Sequence, residues 1–154
     1  MPTMYDTPCE NIPAQTTQPA VTERTMKPLR VLVMEDDVII AMLLAEVLQQ
    51  MGHEVCATEA TEAGAMTAAT RHKPDLMIVD VWLRHGSGIV AVTEIIRSGF
   101  IPHVFVTGDP LKDQTLDPSA QVIQKPFIVS ELVRAIQRAL APSGTRSADA
   151  QAER

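Results

Sequence analysis

The chain has 154 residues, 45% of them hydrophobic, so it is long and apolar enough to bury the core of one domain. Its 19 acidic residues outnumber 13 basic ones, and the formal net charge of −6 argues against nucleic-acid binding, because an acidic surface repels phosphates. A membrane span is not expected either, since the longest apolar run, residues 38–45, is far shorter than the roughly 20 residues that a bilayer requires.

The central part of the chain alternates short apolar runs with amphipathic stretches. Residues 29–34 are rich in β-branched side chains and predict a strand buried on both faces. Apolar residues at helical spacing from Ile40 to Met51 then predict a helix, which Gly52 ends. The elements predicted next, in chain order, are a strand over 53–57, a helix over 59–71, a strand over 75–80, a helix opened by 86–88 and ending at Ile96, strands over 102–106 and 121–124, and a last helix capped by Ser130.

The two ends of the chain differ in composition from this central part. Residues 1–28 hold five of the eleven prolines and show no apolar periodicity, which predicts a disordered N-terminal tail. Residues 142–154 are similarly polar and predict a flexible C-terminal tail, so one folded domain is expected over residues 29–141. Cys9 and Cys56 form no CxxC pair, and a reducing, cytoplasmic location is therefore expected.

The repeated order of strand and helix predicts an α/β fold, with a doubly wound, five-stranded parallel sheet and helices on both faces. Ligands of such sheets bind outside the carboxyl ends of the strands. The residues with reactive or charged side chains at these ends are Glu35, Asp36, Asp80, Thr107 and Lys125.

Three carboxylates at one edge of a sheet require a compensating cation. Two carboxylates about 4 Å apart repel each other by about 4 kcal/mol at an effective dielectric constant of 20. Oxygen ligands from a few carboxylates, with room for water and phosphate, favour Mg²⁺ over Zn²⁺ or Ca²⁺. The sequence therefore predicts a Mg²⁺ site.

Four fragments at consecutive strand ends resemble the receiver domain of bacterial two-component response regulators. They are VMEDD over 33–37, IVD over 78–80, VTG over 106–108 and QKPF over 124–127. The resemblance covers residues 29–141 and implies a flavodoxin-like sheet with strand order 2-1-3-4-5.

By this resemblance, Asp80 is the phosphoacceptor, which takes a phosphoryl group from the phosphohistidine of a sensor histidine kinase. Thr107 and Lys125 then contact phosphoryl oxygens. The protein is accordingly not an enzyme in the ordinary sense, although it catalyses its own phosphorylation and dephosphorylation. The Mg²⁺ ligands implied by the family are Asp36, Asp80, Glu35 through a water molecule, and the backbone carbonyl of Trp82.

One segment resembles a narrower branch of the family, the FAT GUY receivers of alphaproteobacteria. Residues 101–109, IPHVFVTGD, approximate the Pro-Phe-x-Phe-Ala-Thr-Gly-Tyr stretch of that branch, with Val106 in place of Ala and Asp109 in place of the aromatic residue. Most receivers also carry Tyr or Phe three residues before the lysine, where this chain has Val122. The usual coupling between the threonine and that aromatic residue cannot operate unchanged.

The segment between Thr107 and Lys125 also departs from the usual receiver. It contains Pro110 and Pro118 and little that favours a helix, so the fourth helix is predicted to be short or irregular. Because this helix normally belongs to the dimer face of the family, a monomer or an atypical or phosphorylation-dependent dimer is expected.

We expect a stand-alone response regulator, since only 13 residues follow Ala141. Its partners would be the kinase and a downstream effector or phosphotransfer protein, and the alternative is a phosphorelay intermediate or phosphate sink without an effector. Two other classes fit less well. Aspartyl-phosphate hydrolases of the haloacid dehalogenase type carry a DxD pattern that is missing here, and FMN carriers of the flavodoxin type need a hydroxyl-rich phosphate loop where residues 35–37 are acidic.

Overall fold

The structure is a computed structural model that describes residues 27–108, 116–117 and 119–142. Strands and helices alternate along most of this part of the chain. In chain order they are β1 (Arg30–Met34), α1 (Val38–Gln50), β2 (Glu54–Glu59), α2 (Glu62–His72), β3 (Leu76–Asp80), α3 (Gly88–Ile96), β4 (His103–Thr107), β5 (Gln121–Gln124) and α4 (Val129–Leu140). The irregular fourth helix predicted before β5 falls on residues outside the described ranges, as does most of both predicted tails.

The five strands form one parallel sheet in the order β2-β1-β3-β4-β5, which confirms the predicted fold class and strand order. The register places Asp80 opposite Val106 and Thr107 opposite Gln124. The carboxyl ends of β1, β3, β4 and β5 therefore meet along one edge of the sheet.

Alternate residues of the buried strands point to opposite faces and build two separate cores. On one face, α1 and α4 pack on Val31, Val33 and Ile78, with Ile136 of α4 fully buried. On the other face, α2 and α3 contribute small residues; the buried residues of those two helices are Ala65, Ala68, Ala69, Gly88, Ala91 and Val92. Strands that are covered on both sides need apolar side chains at every position, which is why β1 and β3 read as continuous apolar runs.

The predicted starts of two helices are wrong, and the second strand, predicted over 53–57, spans Glu54–Glu59. The second helix was expected from Glu59, but Glu59 ends β2, where it pairs with Met34, and the helix begins at Glu62 after the cap residue Thr61. The last helix was expected to be capped by Ser130, but it begins at Val129.

The cap of α4 has a clear physical basis. The Glu131 carboxylate accepts a hydrogen bond from the Ile128 amide at 2.9 Å, so the helix is closed by a side chain in its own first turn rather than by a hydroxyl before it. The predicted opening of α3 at residues 86–88 is confirmed: the helix begins at Gly88, and the Ser87 hydroxyl caps it by accepting from the Ile89 amide at 3.1 Å.

No helix in the described ranges is long and apolar enough to cross a bilayer; the longest of them, α1, has 13 residues.

His53, next to the start of β2, is a buried polar residue far from the carboxyl edge of the sheet. Its Nδ1 accepts a hydrogen bond from the Leu29 amide at 3.2 Å, which leaves the ring proton on Nε2. This Nε2 is buried and has no partner among the described residues. Burial lowers the pKa of the His53 imidazole, so the neutral ring is the form that suits the folded protein.

The free energy of unfolding is therefore predicted to fall when the pH drops below about 6.5, the ordinary pKa of histidine in an unfolded chain. The unfolded chain takes up the proton there, whereas folded His53 takes it up only at a lower pH, so acid favours unfolding. Denaturant unfolding at pH 7.5 and 5.5 measures the effect. His53→Gln should flatten the pH dependence and His85→Gln, at an exposed position, should not. Equal slopes for the wild type and His53→Gln would contradict this account.

Candidate functional site

The ammonium group of Lys125 is the centre of the predicted site. Its Nζ donates to Glu35 Oε2 at 2.8 Å and to Asp80 Oδ2 at 2.9 Å, and the side chain is 20% exposed. The Lys125 amide donates to the Thr107 carbonyl at 2.7 Å, which continues the pairing of β4 and β5 by one residue. The end of β5 therefore fixes the point from which this long side chain reaches two carboxylates.

Glu35 follows β1 and is almost completely buried. Its amide donates to the Glu59 carbonyl at 2.9 Å, and its Oε1 accepts from the Asp37 amide at 3.0 Å. Burial raises the pKa of the Glu35 carboxyl, and the hydrogen bond from Lys125 offsets part of that rise. Both oxygens of this carboxylate thus have donors within the protein.

The next two acidic residues have different tasks. Asp37 caps α1, because its Oδ1 accepts from the Ile39 and Ile40 amides at 2.9 and 3.2 Å. Asp36 is half-buried, and one of its carboxylate oxygens lies within 4.8 Å of an oxygen of Glu35 and one of Asp80. Asp37 therefore serves the helix, whereas Asp36 belongs to the cluster of three carboxylates. A cap at Asp37 was not predicted, although an aspartate directly before an apolar helix is an ordinary capping signal.

Asp80 ends β3 and is buried. Its Oδ1 accepts from the Trp82 amide at 3.0 Å, and its Oδ2 accepts from Lys125. A Cβ atom at position 88 would meet the Asp80 backbone carbonyl oxygen, so only a glycine lets α3 begin this close to the end of β3. Hydrogen bonds thus hold both oxygens of the Asp80 carboxylate at the carboxyl end of β3.

The structure brings four of the predicted side chains together. Lys125 contacts Glu35 and Asp80, and Asp36 lies within 4.8 Å of both carboxylates. Thr107 is buried at the end of β4, between the ends of β3 and β5 in the sheet. Trp82 contacts the cluster through its backbone amide, whereas its side chain is 51% exposed.

The charges of the four side chains in this cluster do not balance one another. Three carboxylates and one ammonium leave a net charge of −2 when all are ionised. Burial disfavours the ammonium form, but the hydrogen bonds to Glu35 and Asp80 outweigh it and raise the pKa of Lys125. Lys125 therefore stays cationic, and the remaining charge and the oxygen donors fit a hard divalent ion such as Mg²⁺.

Comparison with known proteins gives the family context of this site. Residues 31–137 match the response regulator receiver domain. The transcriptional regulatory protein PdtaR of Mycobacterium tuberculosis is 37% identical to the chain over 117 residues, which are 73% of this chain and 57% of PdtaR. The chain spans about half the length of the curated relatives that it matches.

Two solved structures resemble the chain in fold and sequence. The receiver domain of PhyR from Erythrobacter litoralis has a TM-score of 0.69 and 32% identity, covering 77% of this chain and 97% of that domain. SdrG from Sphingomonas melonis has a TM-score of 0.61 and 31% identity, covering 74% of this chain and 98% of SdrG.

Asp36→Asn is predicted to weaken Mg²⁺ binding by at least about tenfold, because it removes one negative charge and one anionic ligand from the cluster. A Mg²⁺ titration followed by the fluorescence of Trp82, the one tryptophan of the chain, and by amide NMR shifts measures the affinity. Asp37→Asn is the matched control, since asparagine still caps a helix and position 37 lies outside the cluster. The assignment fails if both variants bind Mg²⁺ like the wild type.

Proposed function

The chain belongs to the family of response regulator receiver domains, and on this premise we propose that Asp80 accepts a phosphoryl group from the phosphohistidine of a sensor histidine kinase, with Mg²⁺ bound beside it. The observation that supports this most directly is the pair of contacts on the Asp80 carboxylate. One oxygen is held by the Trp82 amide and the other by the Lys125 ammonium, beside two further acidic side chains.

The proposed step is an in-line displacement at phosphorus. An Asp80 carboxylate oxygen attacks, an O–P bond forms, and the P–N bond to the histidine breaks with its electron pair returning to the imidazole ring. The protein contributes position and charge, because little covalent chemistry is required of it in phosphoryl transfer. The hydrogen bond from the Trp82 amide orients the carboxylate before the step.

Lys125 supplies the cationic side chain in this proposal. Its ammonium bridges Glu35 and Asp80 in the structure, and the same group pairs with a phosphoryl oxygen once Asp80 is modified. Thr107, at the neighbouring strand end, is proposed to donate its hydroxyl hydrogen bond to another phosphoryl oxygen.

The residues proposed to hold Mg²⁺ are Asp36, Asp80 and the Trp82 carbonyl, with Glu35 acting through water. When bound, the ion neutralises charge on the phosphoryl group. Glu35 suits an indirect role, because the Asp37 amide and Lys125 already donate to its two oxygens.

The exposed face of α1 supports docking of a protein beside Asp80. Four large apolar side chains of this helix are more than half exposed, namely Val38, Ile39, Met42 and Leu43. Exposed apolar side chains that cluster next to a reactive group are typical of a protein interaction surface. We assign this face to the kinase.

We propose further that phosphorylation changes the contacts of the chain with an effector protein, and the alternative is a relay intermediate or a phosphate sink. Val122 occupies the position of the usual aromatic residue on β5 and is 41% exposed. Because valine has no ring, an inward turn of an aromatic side chain on phosphorylation cannot occur here. A long-lived aspartyl phosphate with a phosphorylation-dependent partner favours an effector, and rapid return of the phosphoryl group to the kinase favours a sink. We also propose that the domain spans residues 29–141 and that the protein is located in the cytoplasm.

Incubation with a small phosphodonor and Mg²⁺ is expected to phosphorylate the wild type, and Asp80→Asn should lose essentially all of the label, because an amide is a poor nucleophile. Intact-protein mass spectrometry measures the added phosphoryl group. Asp75→Asn is the control, since Asp75 lies next to the opposite end of the same strand. Full labelling of Asp80→Asn would overturn the assignment.

A further inference from the structure

The loop that follows Asp80 is a small hairpin with a defined hydrogen-bond pattern. The Gly88 amide donates to the Val81 carbonyl at 2.9 Å, and the Leu83 amide donates to the Gly86 carbonyl at 3.3 Å. Between these two bonds, Trp82 and Ser87 lie opposite each other as an antiparallel pair. The backbone N–H and C=O groups of such a pair point out of the hairpin and are not used by its ladder.

The outward amide of Ser87 is held by a side chain from another element. It donates to Glu62 Oε2 at 3.1 Å, across 25 positions of sequence. Glu62 is the first residue of α2, so the acidic group that holds the loop comes from a helix that contributes nothing else to the site.

Two backbone hydrogen bonds reinforce this contact. The Glu62 amide donates to the His85 carbonyl at 3.4 Å, and the Arg84 amide donates to the Ala60 carbonyl at 3.3 Å. The segment that leads into α2 and the hairpin therefore lie side by side over several residues.

Gly86 makes the close approach possible. A Cβ atom at this position would meet the Glu62 carboxylate, and the backbone has a φ of 112°, which L side chains rarely adopt. The hairpin is thus shaped to fit against the Glu62 side chain.

The opposite side of the hairpin reaches the phosphoacceptor. The Trp82 amide, outward like that of Ser87, donates to Asp80 Oδ1 at 3.0 Å. A continuous chain of contacts runs from the Glu62 carboxylate through the Ser87 amide and the Ser87–Trp82 pair to the Asp80 carboxylate. The Trp82 carbonyl, which the hairpin ladder also leaves unused, belongs to the same pair.

We propose that Glu62 is a positioning residue, whose carboxylate fixes the hairpin over residues 81–88 and thereby the Trp82 backbone groups that face Asp80 and the metal. This inference rests on the proposed function, since it assumes that Mg²⁺ binds at Asp80. Without the Glu62 acceptor, the hairpin samples more conformations. Ion binding must then order the hairpin, and the loss of conformational entropy weakens the binding.

The test compares Glu62→Ala with Glu62→Gln. Alanine removes the acceptor of the Ser87 amide and should weaken Mg²⁺ binding by about tenfold, the lower end of the range for groups that orient metal ligands. Glutamine keeps a side-chain oxygen at the same reach and should stay within about twofold of the wild type, because the role is to accept a hydrogen bond rather than to carry charge. Glu94→Ala, which removes an acidic side chain that is paired with the i+3 Arg97 at the surface, is the matched control.

Mg²⁺ alone is the probe, followed by Trp82 fluorescence, and hydrogen exchange of the Ser87 amide reports the contact directly. The exchange should accelerate in Glu62→Ala and not in Glu62→Gln, and the rate of labelling by the small phosphodonor should follow the Mg²⁺ affinity. The inference is overturned if Glu62→Ala binds Mg²⁺ as Glu94→Ala does, or if Glu62→Gln is as weak as Glu62→Ala. In both cases, the proposed function still holds if the wild type binds Mg²⁺ and is labelled by the phosphodonor. If the wild type neither binds Mg²⁺ nor is labelled, the proposed function itself is wrong.

Discussion

The structure of the site depends on one ammonium group placed among three carboxylates. Glu35 and Asp80 come from different strands, and their carboxylates are brought close enough to share Lys125 Nζ at 2.8 and 2.9 Å. At an effective dielectric constant of 20, two like charges about 4 Å apart cost about 4 kcal/mol, so the carboxylates need this cation in order to stay ionised together. Lys125 neutralises only part of their charge. The remainder makes the edge of the sheet attract a dication and, with it, a phosphoryl group.

The parallel sheet explains how residues so distant in sequence reach one point. Lys125 lies 90 positions after Glu35 and 45 after Asp80, yet every strand involved ends at the same edge. Because β1, β3 and β4 are buried on both faces, packing fixes their register, and the pairing with β4 fixes that of β5. The side chain that follows each strand therefore starts from a defined position. The hairpin after β3 adds the second constraint. The hairpin positions the Trp82 amide so that it donates to the Asp80 carboxylate. In our proposal, the contact with Glu62 fixes the conformation of the hairpin.

The sequence predicted those features that repeat a strong local pattern. The β-branched run of β1 and the apolar run of β3 predicted buried strands, and the acidic or basic residue after each strand then predicted the contents of the edge. Local signals were insufficient where a tertiary contact decides. The end of β2, for example, depends on the pairing of Glu59 with Met34. The start of α4 is a different case: it depends on a local contact, from the Ile128 amide to the Glu131 carboxylate three residues later, which the choice of Ser130 as the cap overlooked. The contact between Glu62 and Ser87 joins residues 25 positions apart without a motif, so only the folded structure reveals it.

We propose that Lys125 passes from the Asp80 carboxylate to the phosphoryl group when Asp80 is phosphorylated, and that Asp36, Asp80 and the Trp82 carbonyl would hold the metal beside it. A crystal structure of the protein with Mg²⁺ and beryllium trifluoride, an analogue of the phosphoryl group, measures this directly. We predict the analogue on an Asp80 oxygen, Lys125 Nζ within about 3 Å of a fluorine, and the ion bound by Asp36, Asp80 and the Trp82 carbonyl. An analogue bound elsewhere, or Lys125 unchanged between Glu35 and Asp80 with the analogue in place, would contradict the account.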